Sequence, residues 1–530
     1  MTLNRTKRPE LTKAQENNLV AAKVIRGMLS RSFGPRGLTK LTVNNYGDSF
    51  LVQAGVDILE KIDFKHPVAK MMLDLSKSLE SSIGDGSITA VLLATGLVEK
   101  AGQLMRMGVH PTVIVEGYQE SLKKCLSTLG DLSFTLDPND SKGIRRVAYT
   151  SLLTKVPQDE SDLLSGLVVQ ALKTLKVEET SGFSQDVTDH VNVIAREGDF
   201  VKSSLVDGVA FDSTVLDPSM PKRVIGARIA IVQSLFGIRE MKMKTEIRIS
   251  DAASLPLFRR KEKSIIYQMI SDVVSSGANV LFTHKGVDDL AFALLSASRI
   301  FTVRRVGLRD LRRIEQSTGA KMILSTDEGF EGKIGHSVQV EEKEIGDRKW
   351  IIVQDGEKHG AVTILVRGYL QRSADHLQDT LRRVVRMVGD TLRNPDVVAG
   401  GGACEMSLSR ELHVWSISQT SRKQLAVEMY SKVLESIPTT LAINSGMNQL
   451  DVIPKLRRHH AEGQSGYGID SLKGELADAA RRGYIESTHM KSQILNSATE
   501  AAVSIIRIGD VYQMSHQKSD KTQKEGPDYP

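Results

Sequence analysis

The sequence predicts a multidomain fold of the α and α/β class, with a mainly helical domain at each end of the chain and an α/β domain between them. Three observations lead there. A chain of 530 residues is longer than one growing core holds, so two or three domains are expected. Apolar residues recur at helical spacing over residues 11–31 and 369–392. Between about 208 and 366 the texture changes to short β-branched runs alternating with helical stretches.

Taken in order, Leu11, Leu19, Val20, Val24, Ile25, Met28 and Leu29 form one broad apolar face, so 11–31 reads as an amphipathic helix. Gly34-Pro35 and then Gly37 stop it. Leu41–Val43 and Phe50–Val52 flank Asn44-Asn45-Tyr46-Gly47 and predict a hairpin. A second helix runs from Val68 to about Glu80 and is interrupted by Gly84-Asp85-Gly86. Ser87 is placed to cap a third, which carries Val91, Leu92, Leu97 and Val98. Further helices are expected over 110–129, 143–155, 159–176 and 185–195. In the middle, strands at 227–232, 247–249, 280–282, 301–303 and 322–324 alternate with helices near 259–275, 287–298 and 308–318. Behind them 369–392, 402–415, 421–437 and 489–503 are helical again. If the two helical ends pack together, the middle projects as a lobe inserted into a discontinuous domain. The polar tail 515–530 reads as disordered.

Composition removes several classes. With 40% apolar and 25% charged residues the chain belongs with folded soluble proteins. Apolar runs such as Ala90–Ala94 are too short to cross a bilayer, and Met1–Arg5 offers no apolar leader, so a cytoplasmic location without integral membrane association is expected. Cys125 and Cys404 are the only cysteines, which excludes a disulfide framework and leaves them as small buried hydrophobes. The net charge of +6 is spread along the chain, and clusters such as Arg457-Arg458-His459-His460 are too small for a specific nucleic-acid footprint. No HExxH or similar grouping occurs, so His66 and His110 read as structural.

Four glycine-rich stretches remain: Gly34-Pro35-Arg36-Gly37, Gly84-Asp85-Gly86-Ser87, Gly400-Gly401-Gly402-Ala403 and Gly466-Tyr467-Gly468. Glycines admit a phosphate close to the backbone, and helix-start N–H groups offer it donors. Asp85 beside Ser87 and Thr89 supplies hard oxygens of the kind magnesium prefers. There is no GxxxxGK[ST], and no GxGxxG follows a strand, so a P-loop, Rossmann or kinase reading is not supported.

Together and in order, these segments resemble a group II chaperonin, the family of the archaeal thermosome and the eukaryotic cytosolic ring. The likeness is carried by Gly34-Pro35-Arg36-Gly37-Leu38-Thr39-Lys40, His66-Pro67-Val68-Ala69-Lys70-Met71, Gly84-Asp85-Gly86-Ser87-Ile88-Thr89-Ala90-Val91 and Thr150-Ser151-Leu152-Leu153-Thr154-Lys155. Later come Lys285-Gly286-Val287-Asp288-Asp289, Ala361–Gly368, Gly400–Glu405 and Ser497–Ala502, so the match spans about 10–511. The resemblance, to a diverged archaeal paralogue, implies a group II chaperonin fold. Its helical equatorial ATP-binding domain would come from 1–142 and 397–514, and its hinge-like intermediate domain from 143–206 and 367–396. An α/β apical domain would span 207–366, with a helical lid protrusion near 244–266. It further implies ATP and Mg²⁺ as cofactors, homologous subunits in stacked eight- or nine-membered rings as partners, and unfolded proteins as clients.

Residue by residue, the resemblance places Gly34, Pro35 and Gly37 beside nucleotide, with Gly84, Asp85, Gly86, Ser87, Ile88 and Thr89 in the phosphate turn and Asp85 on the metal. Lys155 would stand near the outer phosphate, Gly401 and Gly402 beside nucleotide, and Glu486 near the adenosine. Asp379, in the hinge segment, would orient the attacking water and complete the site only on closure. Read by itself, Asp379 is a solvent-facing helix residue paired with Arg382, Arg383 or Arg386, Lys155 a surface lysine and Glu486 a loop acid.

The departures from the family pattern imply weak hydrolysis. Val52-Gln53-Ala54-Gly55 puts Ala54 where the family has a second acid, and Ile88 removes a hydroxyl from the phosphate turn. Asp48 or Asp57 would have to reach the gap. The stretch Asn192–Leu205 looks shorter than the family's hairpin there, and the tail lacks Gly-Gly-Met repeats. Two functions follow: an ATP-dependent folding subunit with slow turnover, or a non-catalytic structural or regulatory subunit of a hetero-oligomeric ring. Phe292, Leu294 and Leu295 are expected to be a buried helix face rather than a client stripe.

Overall fold

The structure, a computed structural model, describes residues 11–43, 49–52, 55–62, 64–175, 187–237, 255–325, 328–345, 348–354, 360–419 and 422–510. Ala54, Asp48, the strand expected at 247–249, residues 244–254 of the expected protrusion and the tail lie outside them.

The first part of the chain gives α1 (Lys13–Ser30), the hairpin β1 (Lys40–Val43) and β2 (Ser49–Val52), α2 (Gly55–Glu60), α3 (Pro67–Ser82), α4 (Ser87–Arg106), α5 (Pro111–Leu132) and β3 (Phe134–Thr135). Then follow α6 (Ser141–Leu153), α7 (Gln158–Thr174), β4 (Val191–Glu197), β5 (Ser204–Asp212), β6 (Arg223–Val232), α8 (Leu255–Ser275), β7 (Val280–Thr283), α9 (Asp289–Ala297), β8 (Phe301–Val303), α10 (Leu308–Thr318), β9 (Met322–Ile323), β10 (Gly335–Ile345), β11 (Arg348–Gln354) and β12 (Val362–Gly368). The last part holds α11 (Gln371–Arg393), β13 (Asp396–Ala399), α12 (Ala403–Ile417), α13 (Lys423–Asn444), α14 (Gln449–Ala461), β14 (Tyr467–Asp470), β15 (Glu475–Asp478), α15 (Ala479–Arg482), β16 (Ile485–Ser487) and α16 (Thr488–Ile506).

The two helical ends do pack together. α4 lies at the centre, apolar on nearly every side, and is enclosed by α1, α13 and α16. By length and composition it is, among the described residues, the one helix able to cross a membrane, contrary to the expectation from short apolar runs. Here most of it is buried, because a helix at the middle of a bundle must be apolar all round. β13 ties the ends further by pairing with both β3 and β16. The resulting core continues into α6, α7 and α11 through Ile144, Leu164, Leu381, Val384 and Val388.

A second core fills the α/β lobe. Its sheet runs β4-β12-β5-β11-β10-β6-β7-β8, with β9 also beside β6. β6, β7, β8 and β9 are parallel, and the long hairpin β10–β11 is antiparallel. On α9 Leu295 is fully buried, while Phe292 and Leu294 are half-buried, in keeping with a packed face. Both cysteines are buried, and His66 and His110 cap α3 and α5 through Nδ1.

Several expectations are corrected. Residues 185–195 are not a helix but a 3-10 turn at Val187–Asp189 and the strand β4, parallel to β12. Val191–Ala195 is buried on both faces, and such a run carries no period by which strand and helix differ. The segment 192–205 is no hairpin, since β12 lies between β4 and β5. α4 is capped by Gly86, with Ser87 its first residue. α13 runs through Pro438 to Asn444, and α14 contains Pro454; tertiary packing overrides the usual breaker in both.

Candidate functional site

Two helices of the base begin at one cleft. α4 starts after Gly84-Asp85-Gly86 and α12 after Gly400-Gly401-Gly402. In each the N-cap is a left-handed glycine, Gly86 at φ 82° and Gly402 at φ 77°, with no side chain capping the first turn. Any other residue there would cost about 1–2 kcal/mol in backbone strain. An anion entering between the helix starts would meet first-turn N–H groups at the positive ends of two dipoles.

At one end of this inner cleft stands Asp85. Its carboxylate accepts from the Gly86 amide at 2.8 Å and from the Ser151 hydroxyl, and pairs with Lys155 at 2.9 Å. Lys155 also donates to the Ser151 hydroxyl at 2.8 Å and its carbonyl at 3.1 Å, which holds the ammonium in place. Burial would push the Asp85 carboxyl up, but Lys155, Ser151 and Gly86 outweigh it and keep it below the ordinary range. Asp85 is thus held as a carboxylate paired with the Lys155 ammonium.

At the other end Lys491 of α16 is buried between Glu405 and Glu486, with Nζ 2.6 Å from Glu405. Burial alone would discharge the lysine; its two carboxylates reverse that and hold it charged. Burial pushes the Glu486 carboxyl up. Glu405 Oε2 is buried without a hydrogen-bond donor, so this end lacks a donor rather than an acceptor.

Gly34, Pro35, Gly84, Asp85, Gly86, Ser87, Ile88, Thr89, Lys155, Gly401, Gly402 and Glu486 all line the one cleft, although they come from separate parts of the sequence. Gly37 does not line it; its amide bonds the Gly34 carbonyl at 2.9 Å and closes the turn that presents Gly34. Asp379 does not line it either. It faces a wider outer cleft between α11 and the α/β lobe, 60% exposed, at 3.6 Å from Arg382 as its i,i+3 partner. Asp57 also lies in the outer cleft and bonds Arg383 at 3.1 Å.

Sequence reasoning gave no role to Ser151, Glu405, Lys491 or Glu80, and offered Arg383 only as a partner of Asp379, whereas it pairs with Asp57 and Glu80. Ser151 and Glu405 fall inside motifs already noted, whereas a lysine such as Lys491 shows nothing in sequence of the carboxylates that will surround it. Among the described residues no three His, Cys, Asp or Glu gather into a metal centre. Asp85 would therefore contribute a single carboxylate, which suits an ion that keeps most of its ligands from water and phosphate.

A model of the TCP-1/cpn60 chaperonin family matches residues 25–516. The chain belongs to that family. Among its relatives, the thermosome subunit alpha of Archaeoglobus fulgidus is 36% identical over 499 residues, 94% of this chain and 91% of its own length. The thermosome subunit of Methanopyrus kandleri is 37% identical over the same shares. That of Methanocaldococcus jannaschii is 34% identical over 517 residues, 97% of this chain and 95% of its own. This chaperonin is thus a homologue of archaeal thermosome subunits over most of its length, on the group II side, and its general role is chaperonin-assisted protein folding.

Proposed function

We propose that this chaperonin is an ATP-driven subunit of a stacked eight- or nine-membered ring that encloses unfolded protein, with weakened intrinsic hydrolysis. The observation that carries the reading is the inner cleft: two uncapped glycine-started helices converge on it, with a charged Asp85–Lys155 pair at one end and a donor-poor Glu405–Lys491–Glu486 group at the other. The first end suits phosphates and the second a ribose hydroxyl or an adenine amine. A magnesium ion held against Asp85 would neutralise phosphate charge. Lys155 would hold the outer phosphate, the amides at the starts of α4 and α12 would orient the rest, and Ser87 and Thr89 would add hydroxyl donors.

Asp379 would position water only after the first half of α11 moves toward the inner cleft, coupling chemistry to closure of the chamber. Asp57 is engaged by Arg383 and does not line the inner cleft, which supports slow turnover given Ala54 in the sequence. The same two facts favour a second reading, a subunit that binds nucleotide and regulates a mixed ring without hydrolysing it. Magnesium-dependent phosphate release by the pure chain and by mixed rings, with Asp379→Ala as control, separates them. Slow turnover abolished by Asp379→Ala supports the first reading; background rates in every ring, unchanged by Asp379→Ala, support the second. Particle images showing subunits without ring symmetry would overturn both.

A further inference from the structure

Arg383 stands where the two clefts meet. It lies on α11 one helical turn beyond Asp379, and its side chain lines both clefts. Only 16% of that side chain is exposed, and two acids from two different helices hold it: Asp57 of α2 at 3.1 Å through Nη2, and Glu80 of α3 through Nε. A guanidinium held by acids at two of its nitrogens is fixed in direction as well as distance, which a lysine could not reproduce. The main chain is fixed at the same point. A Cβ on Gly84 would overlap the Arg383 carbonyl, so α11 rests its backbone directly on the turn that carries Asp85.

The helix differs on either side of this contact. Beyond it Val384, Val385, Met387 and Val388 are buried against the helices of the two chain ends; before it Ala374, Leu377 and Leu381 are buried as α11 packs on β4 and β12, while Gln371, Arg372, Ser373, Asp375 and Asp379 face solvent. α11 thus bridges the packed chain ends and the β4–β12 strands, with Arg383 at the junction and Asp379 on its solvent face.

We propose that Arg383 is a positioning residue: by clasping Asp57 and Glu80 it fixes the point on the Asp85 turn about which the first half of α11 pivots together with the β4 and β12 strands it packs on, and so sets where Asp379 arrives. Its effect on catalysis rests on the nucleotide reading of the inner cleft; its mechanical effect on α11 does not. With two of its nitrogens committed to acids, Arg383 works through the helix rather than as a free cation for phosphate.

The test uses the assembled full-length protein and two readouts. In Arg383→Ala without nucleotide, hydrogen exchange of amides 371–382 rises roughly ten-fold while α4 and α16 are unchanged. With Mg-ATP, kcat falls about ten-fold while KM stays within about two-fold, because placement of the water is lost and nucleotide binding is not. Arg383→Lys restores only part of the loss, and Asp57→Asn changes both readouts in the same direction, serving as the test if Arg383→Ala does not assemble. Unaltered exchange in α11, or an unaltered kcat beside a parent that turns over, overturns the proposal. A parent that neither binds a fluorescent ATP analogue nor releases phosphate sinks the nucleotide reading alone, and exchange then decides the clasp.

Discussion

One pair in the inner cleft and one in the outer share the same chemistry, a basic side chain beside an aspartate, under opposite conditions. At the inner cleft Lys155 and Asp85 meet at 2.9 Å with 11% and 22% of their side chains exposed; at the outer cleft Arg382 and Asp379 stand 3.6 Å apart with 51% and 60% exposed. Breaking the first pair strands an ion away from water, whereas breaking the second returns both ions to it. The buried pairs therefore define a fixed receptacle. The exposed one can be broken at little cost, as the pairing of a group that acts only on closure must be.

The sharpest way to break that contrast is to remove the most deeply buried cation. Lys491→Met leaves Glu405 and Glu486 uncompensated, and urea unfolding followed by circular dichroism is expected to show a loss of about 3–5 kcal/mol. A loss below about 1 kcal/mol would mean that water already reaches this end of the cleft.

Lys155→Ala acts on a less buried pair and is expected to cost about 1–3 kcal/mol near neutral pH. Asp85 sits below its ordinary range, so the stability it contributes is present above the unfolded carboxylate pKa and lost as the pH falls through the folded value. The gap between parent and variant should therefore close in acid, as denaturation across a pH series would show.

Glu80 reverses the sign. Burial raises it from 4.5 to about 6 despite Arg383, so its favourable contribution is complete below the unfolded value and lost as the pH rises through the folded one. Glu80→Gln is expected to be more stable than the parent by up to about 2 kcal/mol at alkaline pH and equal to it in acid, read from melting curves at both extremes. A variant destabilised at every pH would show that the ionic contact with Arg383 outweighs burial.

The smallest structural effect belongs to Asp379→Asn. Stability should change by less than about 0.5 kcal/mol, because an exposed i,i+3 pair contributes little. Phosphate release should nonetheless fall by roughly 10²-fold or more if the acid positions water. Equal stability with equal turnover would remove Asp379 from the mechanism.

Much of this architecture was legible from local pattern. α11 follows directly from Leu377, Leu381, Val384, Val385 and Val388 at helical spacing, and the β1–β2 hairpin from two short apolar runs about a turn. The pattern failed where burial erases it. β4 is apolar on both faces and reads equally as helix, and the β10–β11 hairpin is masked by Glu341, Glu342, Lys343 and Glu344. At the site, the glycine turns and Asp85 stood out because phosphate chemistry asks for those residue types in short runs. Arg383 and Lys491 did not, since neither belongs to such a run.

By itself the sequence determined where the backbone must turn, which segments are amphipathic, and which short stretches are fit to approach a phosphate. These properties depend on neighbours within a few residues. Only the tertiary structure decided which charges meet: Asp85 finds Ser151 across 66 positions of chain, Lys491 finds Glu405 across 86, and Arg383 finds Asp57 across 326. A buried ion persists only where packing brings its counter-ion within reach and excludes water from both. That condition is set by how the helices enclose one another, not by the order of residues along any one of them.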